Sequence, residues 1–270
     1  MIPVLFEIGP LKIYSYGFML VVAFYSCYFL LSKDLKRLGY EAKLSGDIVF
    51  AAAVGGILGS KIYYLIENFQ RVIDDPFGMI FSGSGLVFLG GLMGGTLGVT
   101  LVLRKQELPW FKFADIVAPL LILGYAIGRV GCFLVGDDYG IPTHSSFGIA
   151  FENGLPPTTF HVFQSYYPWI DLTGFEPGLL AVHPTQMYET ILGLAIFAFL
   201  WKKRTSVKVL GSLFFTYLIL AGLERFFIEF IRTNEHYLFY LTGSQLLSLV
   251  MISIGTVGLI KPVSTPGKTT

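Results

Sequence analysis

Two arginines stand where an arginine is costly. Arg129 closes a long apolar run in Gly128-Arg129-Val130-Gly131-Cys132, ahead of Gly136-Asp137-Asp138-Tyr139-Gly140, and Arg225 lies inside the apolar segment 213–230. A guanidinium at the centre of a membrane helix costs roughly 2.5–3.5 kcal/mol on insertion scales, so it needs a partner or a task. The chemistry that suits such a pair is anion binding, because a guanidinium meets a phosphate through two parallel hydrogen bonds and an ammonium does not. In a bilayer the abundant anion is lipid phosphate. Gly128 and Gly131 flank Arg129 and let backbone or a ligand come close. The plainer reading of Arg129 is a side chain snorkelling to the membrane interface, although an anchor needs no acidic, glycine-rich turn after it.

Arg225 belongs to Glu224-Arg225-Phe226-Phe227-Ile228-Glu229-Phe230-Ile231-Arg232. Arg225 and Glu229 are spaced i,i+4 and Glu229 and Arg232 i,i+3, so on a helix both pairs can neutralise each other. A purely structural ion pair would explain part of this pattern. A third candidate is His183-Pro184-Thr185-Gln186-Met187-Tyr188-Glu189. Pro184 and Thr185 suit a helix start. Gln186 and Glu189 then share a face, with Tyr188 beside them; capping and interfacial anchoring are the competing explanation. Tyr16-Gly17 fits either the site or an aromatic belt. His144, His161, His183 and His236 show no metal-ligand spacing, and Cys27 and Cys132 are too few for a disulfide framework and read as small packing residues.

The elements that must carry these residues are membrane helices. With 54% hydrophobic and only 14% charged residues, the 270-residue chain has the composition of a polytopic membrane protein. Its net charge of +1 gives no reason to expect a nucleic-acid partner. No cleavable signal peptide is expected, since the start lacks basic residues and the first apolar run continues into a span. Seven runs approach the ~20 residues a span needs, at 16–31, 47–66, 86–103, 113–133, 186–201, 209–230 and Gly243–Ile260.

Basic residues set the orientation. Lys33, Lys36, Arg37 and Lys43 fill the first loop, Arg104, Lys105 and Lys112 the third, and Lys202, Lys203, Arg204 and Lys208 the fifth; Lys261 and Lys268 follow the last span. The alternate loops are nearly bare, and residues 130–201 hold no Lys or Arg. The expected fold is therefore an all-α polytopic membrane protein of about seven transmembrane helices. Its N-terminus faces outside and its C-terminus the cytoplasm, which puts Arg129 and Arg225 toward the outer leaflet. Residues 1–270 read as one integral membrane domain. Within it, 137–185 forms an extracytoplasmic cap between spans four and five, and 262–270 a disordered cytoplasmic tail. Gly55, Gly56, Gly59 and Ser60, and Gly90, Gly91, Gly94, Gly95 and Gly98, give small-residue spacings that let helix backbones touch. A kinked or half-inserted segment at Ser82-Gly83-Ser84-Gly85 is the other reading of this glycine-rich region.

At these residues the chain resembles the prolipoprotein diacylglyceryl transferases. The matching pieces are Tyr16-Gly17, Gly128 to Gly131, Gly136-Asp137 with Gly140, His183 to Glu189, and Arg225 through Glu229 to Arg232, in family order over nearly the whole chain. The resemblance implies a multi-pass enzyme of the bacterial cytoplasmic (inner) membrane, with no cofactor and no metal. Its partners would be phosphatidylglycerol, membrane lipid and prolipoprotein signal peptides with a lipobox cysteine. A diacylglyceryl group would pass from phosphatidylglycerol to the lipobox thiol, giving a thioether and glycerol-1-phosphate. Arg129 and Arg225 would be catalytic, holding the headgroup phosphate. Tyr16, Asp137, Gly140, Glu229 and Arg232 would shape the pocket, supported by His183, Gln186, Tyr188 and Glu189.

The chain also departs from the pattern. Well-studied members carry a histidine just before the Gly-Gly pair of the third span, an asparagine three residues after the first arginine and a tyrosine four before the second; here these are Leu89, Cys132 and Ala221. Leucine accepts no proton, so the base lies elsewhere, with Asp137, Glu229 and His183 as candidates, or the thiol ionises with help from the arginines alone. Two alternatives to the enzyme remain open at this point: a non-catalytic lipid- or lipoprotein-binding relative, and an anion or lipid transporter, which would lack a visible inverted repeat. A membrane serine protease using Ser84 would lack a histidine in a later span.

Overall fold

The computed structural model describes residues 1–9, 11–81, 87–236 and 240–261. The expected tail at 262–270 and the Ser82 to Gly85 segment lie outside them. In chain order the elements are strands β1 (Val4–Ile8) and β2 (Leu11–Tyr14), then helices α1 (Ser15–Arg37), α2 (Lys43–Glu67), α3 (Phe69–Asp74), α4 (Pro76–Phe81), α5 (Phe88–Lys105) and α6 (Trp110–Val135). Strand β3 (Ile149–Ala150), helix α7 (Phe160–Tyr166) and strand β4 (Ala181–Val182) follow. Helices α8 (Thr185–Lys203), α9 (Ser212–Ile228) and α10 (Gly243–Ile260) complete the order, with a 3-10 turn at Glu229–Ile231.

The protein is mostly helical, and among the described residues α1, α2, α6 and α10 are long and apolar enough to cross a membrane. The other three expected spans coincide with α5, α8 and α9, which are shorter or more polar. Glycines and a terminal Arg104-Lys105 dilute α5, and Gln186 and Glu189 interrupt α8. Helix α9 is narrower than the expected 209–230: Gly211 is left-handed at φ +82, and the chain tightens into the 3-10 turn at Glu229. The first helix starts at Ser15, next to the expected 16. Ahead of it an antiparallel hairpin, β1 on β2, is an element that the sequence reading did not assign. Period-two alternation in so short a stretch does not stand out ahead of a long apolar helix.

The chain forms two compact units, Cys27–Phe113 and the combination of Met1–Ser26 with Ala114–Thr270. In the first, α2 packs on α5 through glycines. A Cβ at Gly59 would lie 2.3 Å from the Gly90 carbonyl oxygen, and one at Gly55 would lie 2.5 Å from that of Gly94. Backbone therefore meets backbone, the close approach that small-residue spacing predicts, and Ser60 Oγ donates to the Val87 carbonyl at 2.9 Å.

In the second unit, α9 packs on α10 in the same way, with Gly222 against the Ser248 carbonyl and Gly255 against that of Phe215. Buried Asp115 of α6 accepts from the amides of Gly211 (2.7 Å) and Phe214 (2.9 Å), so it satisfies donors at the start of α9. Helix α10 begins with a capping box between Thr242 and Gln245. The segment between α6 and α8 has its own small core, in which Tyr139, Phe151, Phe163, Leu180 and Val182 are buried. It is pinned by the buried hydroxyl of Thr158, which donates to the Leu180 carbonyl and accepts from the Phe151 amide.

Candidate active site

The site is built at one end of α6, α8 and α9. Helix α6 stops at Val135 because Gly136 turns left-handed (φ +76), with its amide bonded back to the Cys132 carbonyl at 2.8 Å. Asp138 is also left-handed (φ +59), a conformation that costs a non-glycine residue about 1 kcal/mol and that aspartate tolerates better than most. The double reversal carries Asp138 back to Arg129. Beyond it, Gly140 is squeezed: a Cβ there would sit 2.3 Å from the Ile231 carbonyl oxygen and 2.8 Å from Thr185 Cγ2. Only glycine lets this turn bond to both neighbouring segments. The Gly140 amide donates to the His183 carbonyl and the Ile141 amide to that of Ile231, each at 2.9 Å.

Three arginines and three carboxylates interlock there. Arg129 Nε lies 3.0 Å from Glu189 Oε2 and its Nη1 lies 2.6 Å from Asp138 Oδ2. Arg225 reaches Glu189 Oε1 and Glu229 Oε2, both at 2.8 Å. Arg232 binds Asp138 Oδ1 at 2.8 Å and approaches Glu189 (3.6 Å) and Glu229 (3.9 Å). Glu189 and Glu229 are fully buried, whereas the Asp138 side chain is 46% exposed. Arg129 and Arg225 keep 13% and 21% of their side-chain surface. The cluster thus has a closed acidic floor and a partly open basic face. Burying so many charges is tolerable only because each is matched and hydrogen-bonded.

Other side chains brace the floor. Glu229 Oε1 accepts from Thr242 Oγ1 and Asn234 Nδ2, both at 2.7 Å, and Arg225 also donates to Ser244 Oγ at 3.1 Å. The Tyr125 hydroxyl lies 3.0 Å from Glu189 and 3.4 Å from Glu224, and its ring sits 5.2 Å from the Arg129 guanidinium. Gln186 Nε2 donates to the Asp137 carbonyl at 2.5 Å and Thr185 Oγ1 to that of Asp138 at 2.9 Å, so α8 fixes the acidic turn.

The expected residues are largely gathered. Arg129, Glu189, Arg225, Glu229 and Arg232 share the ion-pair cluster, Gln186 and Gly140 position its turn, and Tyr16 packs against Gly131, 3.2 Å from its would-be Cβ. Two are differently engaged. Tyr188 meets the His183 ring, centroids 6.3 Å apart, and takes no part in the cluster. Of the two acids in the turn, Asp138 binds the arginines, while Asp137 stays on the Cys132 side with its buried Oδ1 lacking a hydrogen-bond partner among the described residues. Burial, then the neighbouring charge of Asp138, pushes the Asp137 carboxyl up to about 6, with Cys132 and Arg129 pulling the other way. Burial also opposes ionisation of Asp138, but the Arg232 and Arg129 guanidinium groups overcome it and hold that carboxyl at about 2. His183, whose Nδ1 is buried without a hydrogen-bond partner among the described residues, is lowered by burial. Sequence reasoning missed Asp138, Tyr125, Glu224 and Thr242. Tyr125 had a usable signal, four residues before Arg129 on the same helix face.

A family model described as prolipoprotein diacylglyceryl transferase matches residues 3–261 of this chain. The chain belongs to the prolipoprotein diacylglyceryl transferase family. It is 35% identical to the phosphatidylglycerol–prolipoprotein diacylglyceryl transferase of Clostridium tetani, over 94% of each chain. It is 31% identical to that of Oceanobacillus iheyensis, over 94% of this chain and 85% of the relative. A second such transferase of Clostridium perfringens is 32% identical over 92% of this chain and 91% of the relative. The cluster itself offers partly exposed guanidinium groups backed by buried carboxylates.

Proposed function

We propose that the cluster around Arg129 and Arg225 is the active site at which this chain passes a diacylglyceryl group from phosphatidylglycerol to the lipobox cysteine of prolipoproteins. As a family member the chain is a membrane transferase in lipoprotein biosynthesis. What carries the assignment of the site is that Arg129 and Arg225, from helices far apart in sequence, share Glu189 and retain exposed surface on the same assembly.

In the proposed reaction the thiol loses its proton to a base. Its sulfur then forms a bond to the diacylglyceryl carbon that carries the phosphate oxygen. That carbon–oxygen bond breaks, its electron pair passes to the phosphate, and glycerol-1-phosphate leaves. Arg129 and Arg225 hold the growing phosphate charge in place, a gain that is larger in the transition state than in the ground state. Neither Cys27 nor Cys132 is needed as nucleophile. Of the three candidate bases, Asp137 fits best. Its carboxyl lies near 6, close to what general-base catalysis at neutral pH favours, and it has no ion-pair partner among the described residues. Both Glu229 oxygens are engaged by Arg225, Thr242 and Asn234.

The membrane setting proposed is seven spans in the bacterial inner membrane, N-terminus outside and C-terminus cytoplasmic, as one integral domain with 137–185 as its extracytoplasmic cap. Support comes from the alternation of basic loops and from α5, α8 and α9 coinciding with the shorter runs. Leu89 favours one competing reading, a lipid-binding relative that lacks the transfer step. Expression in cells depleted of their own transferase separates the two: growth and diacylglyceryl modification of a lipobox protein should return. Good expression without modification would remove the enzyme reading.

A further inference from the structure

We infer that the Asp138 carboxylate, bridging Arg129 and Arg232, holds the place that the substrate phosphate takes, and that the lipid headgroup binds by exchanging with it. The inference rests on the reading of the site given above and adds a specificity-determining residue to it. Asp138 presents its two oxygens to two different arginines, Oδ2 to Arg129 and Oδ1 to Arg232, at 2.6 and 2.8 Å. A phosphodiester offers two non-bridging oxygens that can span Arg129 and Arg232 in the same manner, while Arg225, which shares Glu189 with both of these arginines, faces the phosphate together with Arg129.

Charge balance requires the exchange. The ion-paired groups are three arginines and three carboxylates, so the cluster by itself has no net positive charge to offer a phosphate. Adding a headgroup anion without removing one would leave an unmatched charge in a largely buried site. Asp138 is the carboxylate that can go. Glu189 is fully buried against Arg129 and Arg225 with the Tyr125 hydroxyl on it, and Glu229 is fully buried under Thr242 and Asn234. Asp138 sits at the exposed edge on a loop, in the left-handed conformation, where a released carboxylate meets water. Its clamped carboxyl, at about 2, stays ionised at working pH, so the exchange is anion for anion. A ligand that cannot replace both contacts leaves Arg129 and Arg232 paired to Asp138, and the site thereby rejects headgroups without a phosphate.

The test uses the full chain reconstituted in phosphatidylglycerol-containing nanodiscs. Asp138→Asn keeps the size of the side chain and removes its charge. The KM for phosphatidylglycerol and the inhibition constant of glycerol-1-phosphate should each fall about tenfold, as one charged competitor disappears, while kcat does not rise. Asp138→Ala should move both constants the same way. Folded variants with both constants unchanged or raised would overturn the exchange; with Arg129→Ala still inactive, the reading of the site would survive. Should the variants misfold, the wild-type chain decides. Glycerol-1-phosphate should speed labelling of Asp138 by a water-soluble carbodiimide, and protection from labelling would contradict the exchange.

Discussion

Arg225 on α9 donates from Nη1 to Glu189 Oε1 on α8 at 2.8 Å, joining residues 36 apart in sequence across two helices. The other oxygen of Glu189 faces Arg129 Nε at 3.0 Å. One fully buried carboxylate thus sets the spacing of the two arginines assigned to the phosphate. Their separation is a property of α8 as much as of the helices that bear them.

Glu189→Gln should therefore do more than weaken one contact. Removing one partner of a buried ion pair costs about 3–5 kcal/mol, because the remaining charge is left unmatched. Thermal unfolding in detergent should show a loss of about 3 kcal/mol, and transfer should fall at least a hundredfold in protein that remains folded. Retained activity with a lowered melting midpoint would make Glu189 purely structural.

Gly140→Ala should disable the site through backbone alone. The added methyl would collide with the Ile231 carbonyl and with Thr185, displacing the strand-like contact between Gly140 and Arg232. Overpacking of this kind costs about 1–3 kcal/mol. Transfer should drop while circular dichroism reports unchanged helix content; wild-type activity would mean that the turn yields without moving Arg232.

Asp137 gives a pH dependence with a defined sign. Its carboxyl is raised from 3.8 to about 6, and as a base it must be ionised, so transfer should fall as pH drops through about 6. For stability the sign reverses. The raised carboxyl favours the folded state below its unfolded value of 3.8, and that contribution is lost as pH rises through about 6. Asp138 does the opposite: its stabilisation is present above 3.8 and is lost as pH falls toward 2. A pH–rate profile of Asp137→Asn should lack the limb near 6. An unchanged limb would assign it to another group.

What could be read from the chain followed from local spacing. Arg225, Glu229 and Arg232 lie within two helical turns, so their pairing was legible before any fold was known, as was the start of α8 at Pro184-Thr185. The glycine spacings of α2 and α5 likewise carried their packing in the sequence. The link from Arg129 to Glu189 was not legible, since it depends on how α6 and α8, separated by the whole segment 136–184, are packed. Nor was the choice between Asp137 and Asp138. It is made by two successive left-handed turns at Gly136 and Asp138, and period or composition says nothing about which adjacent acid then faces the arginines. The N-terminal hairpin was not assigned either, because two strands of four or five residues alternate too briefly to stand out ahead of a long apolar helix.

In the proposed reaction Arg129 and Arg225 together hold the headgroup phosphate. The most direct measurement is diacylglyceryl transfer from phosphatidylglycerol to a lipobox peptide by purified Arg129→Ala and Arg225→Ala, alongside Arg129→Lys and Arg225→Lys, which keep the charge and lose the planar fork. The alanine variants should show no transfer, and the lysine variants should lose at least tenfold with their folding retained. Wild-type transfer by either folded alanine variant would contradict the account.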